Sequence, residues 1–471
     1  MSSQTAPKPH ARHSGESRNP APWVTKSIGE LFDIGAGKSV TPTARSGVRS
    51  HPFLRTSNVF WGRIDVSDVS TMHFSDDEIE AKALRKGDLL VCEGGDIGRS
   101  AIWNGELEQC GFQNHLHRLR AKHEDIVPLF VMYYLQAGFT QLGIYEGAGN
   151  KTTIPNISRS RLAALQVPVP SKAEQQKVAA VLWKMQRAIA TQDCLIAATR
   201  DLKQSAMQRL FTHGLRDEPL KDTATGPMPE SWSPRTILEL CTIQSGGTPR
   251  KSVAEYWKGN IPWVSGKDLK AASLDDAIDH VSPEGVAAGS RLAPTGSVLL
   301  LVRGMGLAKD LPVAVITRPM AFNQDLKALV PRGKFSGAFL RSAIYAGKER
   351  LLERIVASAH GTMTLNLDDV ETFSVACPSD PAEADDIAAA LATIDRKLAH
   401  HQQKRAALND LFQTTLHQLM TAQIRVADLD IDTSEVADHV PDVKNMVGKS
   451  IKDQFANAGK KIDSPSTEQR S

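Results

Sequence analysis

The sequence predicts an α+β protein in which two similar α/β domains are separated by two long helices that pair as an antiparallel coiled coil. The whole is one pseudo-twofold internal duplication. Three observations carry this expectation. Segments recur along the 471-residue chain at an offset near 209. The stretches Ala173–Arg216 and Ala382–Arg425 align without a gap and are identical at fifteen positions, among them Glu174/Glu383, Leu182/Leu391, Arg187/Arg396, Asp201/Asp410 and Arg216/Arg425. The runs Ala173–His213 and Ala382–Ala422 contain neither Gly nor Pro, whereas the sequence ahead of each mixes both with short apolar runs. That period is too long for a solenoid and fits duplication of a whole domain with its connector.

Residues 1–22 are polar and Pro-containing, so a disordered tail is expected. Lys8, Arg12 and Arg18 precede no apolar stretch, which argues against a secretory signal. The first domain is expected over 23–170. Its "SIGELFDIGAG" aligns with "TILELCTIQSG" of the second domain, with Trp23 falling on Trp232. "HPFLRTSNV" (His51–Val59) falls on "IPWVSGKDL" (Ile261–Leu269), and "FQN" (Phe112–Asn114) on "FNQ" (Phe322–Gln324). "DLLVC", "LQVPVP", "SVLLLV" and "LPVAVI" read as strands. Ser75 with Glu78 forms a capping box, and Ser282 followed by Pro283 starts a helix at the equivalent place.

A helical spacer is expected over 171–216, opened by Ser171 and Glu174. After a linker (217–231) and the second domain (232–378), a second spacer (379–425) opens with Asp380, Pro381 and Glu383. Val178, Leu182, Met185, Ile189 and Ile196 fall on alternating four- and three-residue steps, as do Ile387, Leu391, Ile394, Leu398 and Leu408. That is a heptad seam, with polar interruptions at Gln192, His401 and Arg405. At 1.5 Å per residue each run reaches about 60 Å, and one apolar stripe on so long a helix needs a partner. Antiparallel pairing with the other half supplies it and puts a domain at either end, as in a ruler. Residues 426–471 hold nine acidic and six basic residues and are expected to be a disordered polar tail.

Net charge is +3, and removing that tail leaves +6 on the remainder, compatible with nucleic acid without requiring it. No apolar run of about 18 residues exists, so no membrane helix is expected. Five dispersed cysteines suit reduced thiols in a cytoplasm and argue against a zinc knuckle.

"GAGKS" (Gly35–Ser39) imitates a phosphate-binding loop, but Phe32 stands where the first glycine belongs. Pro42 disfavours a helix directly after Lys38, and the second copy, "SGGTPRKS", keeps the glycines and Thr-Pro but not Gly-Lys-Ser. ATP binding there is not expected.

"SGGTPRKSVAEYWKGNIPWVSGKDL" (Ser245–Leu269) resembles a hallmark of the specificity subunits of type I restriction–modification systems. The capped helix with Glu174-Gln175-Gln176, the "TTIPNIS" ahead of it and the duplication itself are similar to the same family, over about Trp23 to Arg425. Ala384-Asp385 departs from the Gln175-Gln176 pattern. The resemblance implies a non-catalytic chain with two target-recognition domains, each reading one half of a split double-stranded DNA site. It also implies that the helices dock two methyltransferase subunits, joined by restriction/translocase subunits. S-adenosylmethionine, ATP and magnesium would belong to those partners, and this chain would carry no cofactor.

Basic and amide residues in or beside Gly-rich loops are the DNA-binding candidates. These are Lys38, Arg45, Arg49, Arg55, Asn58, Arg99 and Lys151 in the first domain, and Arg250, Lys251, Lys258, Lys267, Arg303 and Lys309 in the second. Against them stands the ordinary role of solvated surface charge. Trp257 and Trp263 either present rings to DNA or belong to the core. Asp65 with Glu80 and Lys82 only imitates a nuclease core, and His115 with His117 lacks a third ligand for a metal. No Pro-Pro occurs, as an amino-methyltransferase motif would need. The main rival reading is a scaffold: two protein-binding heads on a coiled coil.

Overall fold

Ser27 and Thr236 each cap a single helical turn, Ile28–Leu31 and Ile237–Leu240, with Glu30 and Glu239 closing reciprocal capping boxes. This pair of matching turns is the first sign of the repeat in the computed structural model, which describes residues 23–42, 44, 50–144, 156–357 and 361–437. Contacts divide the chain into two compact units, one drawn from Met1–Thr191 and Ala406–Ser471, the other from Gln192–Arg405. Each unit thus holds one domain and a part of both long helices.

In the first unit, strand Val24–Ser27 pairs antiparallel with Gln166–Val169. An antiparallel sheet runs in the order Phe32–Ala36, Leu116–Ala121, Leu89–Cys92, Ser100–Ile102. A smaller sheet joins Ser70–His73, Ser50–Leu54 and Gly111–Phe112, the last pair parallel. The second unit repeats this plan. Ser233–Thr236 pairs with Ser374–Cys377. The larger sheet runs Cys241–Ser245, Leu326–Pro331, Val298–Leu301, Val313–Ile316 and gains Ser273–Leu274 at its edge. The smaller one again contains a parallel pair, Ile261–Val264 with Met320–Phe322. Phe53 opposes Gly111 in one copy and Trp263 opposes Ala321 in the other, and both rings are buried. Trp263 is therefore core.

The glycines of the imitation phosphate loop have a packing reason. A Cβ on Gly37 would lie 2.3 Å from the Gln113 carbonyl oxygen, and one on Gly246 equally close to that of Phe322. Only glycine permits that approach of two backbones. Lys38 follows in an extended bridge to Gln113 and does not open a helix as the lysine of a phosphate loop would.

The long helices are Lys172–His213 and Pro381–Met420. In the first unit Val178, Leu182 and Trp183 share an apolar core with Phe130, Tyr133, Phe412, Leu416 and Leu419, and Met185 and Ile189 pack against it. In the second, Met207 packs with Ile387, Leu391 and Trp232, and Ile394 lies against them. Ile196 is buried, while Leu398 and Leu408 are half-buried. Arg425 meets Glu174 in the first unit, and Arg405 meets Asp193, Asp395 meets Lys203 and Asp380 meets Arg216 in the second. In the second unit rising numbers on one helix meet falling numbers on the other, so the pairing there is antiparallel. Phe412, Leu416 and Leu419 continue the seam beyond the positions assigned from sequence.

Residues 1–22 lie outside the described residues, and the expected C-terminal tail is described only as far as Ala437. The expectation of disorder from Val426 onward fails for this described part. Val426 is buried in the first unit's core, and Ile431 and Val436 pack against it. Lys177 donates to the Ala427 carbonyl at 2.6 Å, and Arg187 pairs with Glu435 at 2.6 Å. Burial of a few well-placed apolar residues outweighs the polar composition that suggested disorder.

No described helix is long and apolar enough to cross a membrane. The five cysteines are free, and burial pushes Cys92 up to about 11 and Cys110, Cys241 and Cys377 up to about 12.

Candidate nucleic-acid interface

In each domain, three backbone segments converge on the turn that carries the repeated "FQN" or "FNQ". In the first, Lys38 N–H donates to Phe112 at 2.9 Å, and Asn114 N–H to Lys38 at 3.0 Å. Glu93 N–H reaches His115, Ile157 N–H reaches Glu93, and Gly94 bridges Asn156. In the second, Gly247 N–H donates to Phe322, Val302 N–H to Asp325 and Leu365 N–H to Val302, while Arg303 bridges Thr364. The Thr248 hydroxyl donates to Gln324 Oε1 at 2.6 Å, which ties the Gly-rich loop to the same turn. Gln324 and Thr248 were missed as site residues, although the repeated tripeptide marked the first and the shared Thr-Pro the second.

The duplicated backbone carries unlike side chains. Lys38 corresponds to Gly247, Gly94 to Arg303 and Asn156 to Thr364.

In the second unit, Arg250, Lys251, Lys258, Arg303 and Lys309 are exposed. Among the described residues their side chains have no hydrogen bond or ion pair. The Gly-rich loop bearing Arg250 is held from behind by tryptophans. Trp263 donates to the Gly247 carbonyl at 3.0 Å, Trp257 to that of Arg250 at 3.4 Å, and the two rings meet edge-on at 5.1 Å. Trp257 and Trp263 thus position the loop. Lys267 pairs with Asp279 at 2.8 Å, which raises its pKa.

The first unit is different. Lys38 pairs with Glu78, the carboxylate that also completes the Ser75 capping box, and lies against the Phe74 ring. Arg55 is engaged by Asp68 at 3.0 Å; Arg99 donates to the Thr56 carbonyl, pairs with Asp96 and covers Phe60. Asn58 is a correction. It is 3% exposed and its amide donates to the Asp65 and Asp68 carbonyls while its oxygen accepts from Arg55 N–H. Those bonds fold its own loop and leave no group for a base edge. Arg45, Arg49 and Lys151 lie outside the described residues.

Glu80 and Lys82 lie in helix Asp76–Lys82, and Asp65 accepts from Ser67 and Arg63. His117 is buried with Nε2 2.9 Å from the Ile157 carbonyl, and no metal-binding cluster occurs among the described residues.

Each unit also carries a repeated clamp. Trp23 donates its indole N–H to Glu174 at 3.3 Å, and Trp232 donates to Glu383 at 3.4 Å. Arg425 grips Glu174 with two bonds of 2.5 and 2.7 Å, and Arg216 approaches Glu383 at 3.8 Å. Both carboxylates are buried. Gln175, absent from the second copy as Ala384, bonds the backbone at Asp125, Val127 and Pro170. Its replacement removes an internal tie.

A family described as the type I restriction modification DNA specificity domain matches residues 20–196 and 229–410. The EcoR124I/EcoR124II specificity subunit of Escherichia coli is 27% identical over 251 residues, covering 53% of this chain and 58% of that protein. The chain thus matches little more than half the length of that relative. The HindI specificity subunit of Haemophilus influenzae is 20% identical over 415 residues, covering 74% of this chain and 86% of the relative. The solved S subunit of a type I restriction-modification system from M. genitalium shares the fold, with a TM-score of 0.57 at 16% identity over 86% of this chain and 97% of that one. With well over half of its length matched in two successive copies, the chain belongs to the type I restriction modification DNA specificity family.

Proposed function

We propose that the chain is the DNA sequence-specificity subunit of a cytoplasmic type I restriction–modification complex. Each domain reads one half of a bipartite, gapped site on double-stranded DNA, and the long helices set the gap and dock methyltransferase subunits. Restriction/translocase subunits complete the complex. The chain performs no chemistry itself; S-adenosylmethionine, ATP and magnesium belong to its partners.

The observation that carries this reading is the repeated interface, in which one backbone junction presents different side chains in the two domains. Like scaffolds with unlike surfaces suit two different half-sites. The loop bearing Arg250 and Lys251, together with Lys258, Arg303 and Lys309, supplies exposed, uncommitted cations for phosphates and guanine edges. A domain of this size reads only a few base pairs, each good bidentate contact adding about 1–3 kcal/mol of discrimination. Two domains on a fixed spacer sum their specificities.

The test is a salt series with a random duplex pool, the chain being loaded with its methyltransferase partner. Binding weakens log-linearly with salt, and the pool is enriched in one gapped motif. Binding that ignores salt and enriches nothing identifies the chain as a protein-binding scaffold instead.

A further inference from the structure

We propose that the second unit carries a docking cleft for an acidic peptide segment of a partner protein, lined by Arg200, Lys203, Met207, Phe211, Lys348 and Arg350. The cleft has a volume of about 760 Å³. Arg200, Lys203, Met207 and Phe211 recur at helical spacing along one face of the first long helix. Residues of the helices Gly337–Ala346 and Lys348–Leu352, and the segment Thr225–Met228, also line it.

The duplication provides an internal control. At the 209-residue offset, Arg200, Lys203, Met207 and Phe211 correspond to Asn409, Phe412, Leu416 and Met420, and Arg341 and Lys348 correspond to Met132 and Phe139. In the first unit Phe412, Leu416, Met420 and Met132 are buried in one apolar cluster with Phe139 packed against it. The same junction therefore folds closed without charge. The charges of the second unit are not required by the fold, and burying them there is costly.

Their arrangement defines the occupant. Lys203 pairs with Asp395 at 2.5 Å and Lys348 with Asp310 at 2.8 Å. Lys203, Arg341 and Lys348 surround the Tyr345 ring at 5.6, 4.8 and 4.6 Å. Arg350 donates to the Ser374 carbonyl at 2.9 Å. Arg200 is exposed and, among the described residues, its guanidinium has no partner. The four lining cations outnumber the two lining carboxylates, Asp310 and Glu349. With Lys203, Lys348 and Arg350 already engaged by groups of the chain itself, the uncommitted Arg200 guanidinium suits a carboxylate side chain of an acidic segment better than a polyphosphate, which would need several free cations. Met207 and Met228 are buried beside half-buried Phe211 and give an adaptable apolar lining for a neighbouring large side chain. The volume fits a few side chains and not a folded surface.

The full chain is titrated with a fluorescein-labelled peptide, Asp-Leu-Asp-Phe-Asp, and followed by fluorescence anisotropy. Saturable binding is expected, weakened roughly tenfold by Arg200→Glu and unaffected by Asn409→Glu at the corresponding position of the first copy. The peptide with Asn in place of Asp binds the unaltered chain no better than the original binds Arg200→Glu. Circular dichroism confirms that both variants keep the helical signal. Absence of saturable binding to the unaltered chain, or equal binding by both variants, overturns the proposal. So does a duplex DNA whose affinity, rather than the peptide's, falls with Arg200→Glu; the cations would then serve a nucleic-acid backbone. The DNA-recognition reading survives either of the first two outcomes, because the peptide assay does not depend on it.

Discussion

A tryptophan, a glutamate and an arginine carry the junction between domain and helices in each unit. Glu174 begins one long helix, Trp23 begins the domain before it, and Arg425 follows the end of the other helix. Removing the carboxylate leaves an arginine and an indole N–H without their acceptor in a largely enclosed site. Glu174→Ala therefore destabilises the first unit by about 1–3 kcal/mol in chemical denaturation, and Glu383→Ala destabilises the second in the same direction. A double-mutant cycle of Glu174→Ala with Arg425→Ala that shows strict additivity would refute the clamp. The residue types were visible in the sequence as identities between the copies, but Glu174 was legible only as a capping partner. The Ser171 hydroxyl indeed accepts the Glu174 N–H at 3.3 Å, while the carboxylate turns to groups far away in sequence. Spacing of three residues reveals a cap; contacts across 151 or 251 residues leave no local signal. Asn58 and Lys38 illustrate the same limit, because charge and amide chemistry in a loop do not disclose whether the loop itself uses them.

At the scale of elements, local rules held where the forces are local. While the matching capping boxes at Ser27 and Thr236 were not anticipated, the box at Ser75, the Ser282–Pro283 start and the two long helices fall where the sequence puts them. The described part of the tail did not, since Val426, Ile431 and Val436 gain their burial only from a distant core. The polar centre of the helix seam is bonded rather than empty. His401 Nδ1 lies 3.0 Å from Gln192 Oε1, and Arg405 donates to Asp193 at 2.9 Å. Burial first, and then His400, Lys397 and Lys404, hold the His401 imidazole below its ordinary value of 6.5. The fold therefore favours the neutral ring. Its contribution is fully present above that ordinary value and is lost as pH falls below it, where the unfolded chain takes up the proton more readily. Thermal melting of the full chain shifts down on going from about pH 7.5 to about pH 5.5, and His401→Leu reduces that shift. An unchanged shift in the variant places the acid sensitivity elsewhere.

For the molecule as a whole, the duplication was the most legible feature, because a register kept over 44 aligned residues needs no knowledge of contacts. Sheet order and the parallel pairs Phe53/Gly111 and Trp263/Ala321 then follow the repeat. The candidate recognition surface was less legible, since a loop's side chains are displayed by backbone junctions that only folding creates. The proposed function needs the helices to act as a spacer. Removing two heptads from one long helix changes the preferred gap and leaves the bases of each half-site as they were. A change of bases with the gap intact contradicts the spacer role.

The most direct test of two-domain recognition is to sequence the methylated sites of a host that carries this chain with its methyltransferase partner. One asymmetric motif of two short specified blocks separated by a fixed unspecified gap is expected. A contiguous motif, or no new methylated motif at all, would contradict two-domain recognition.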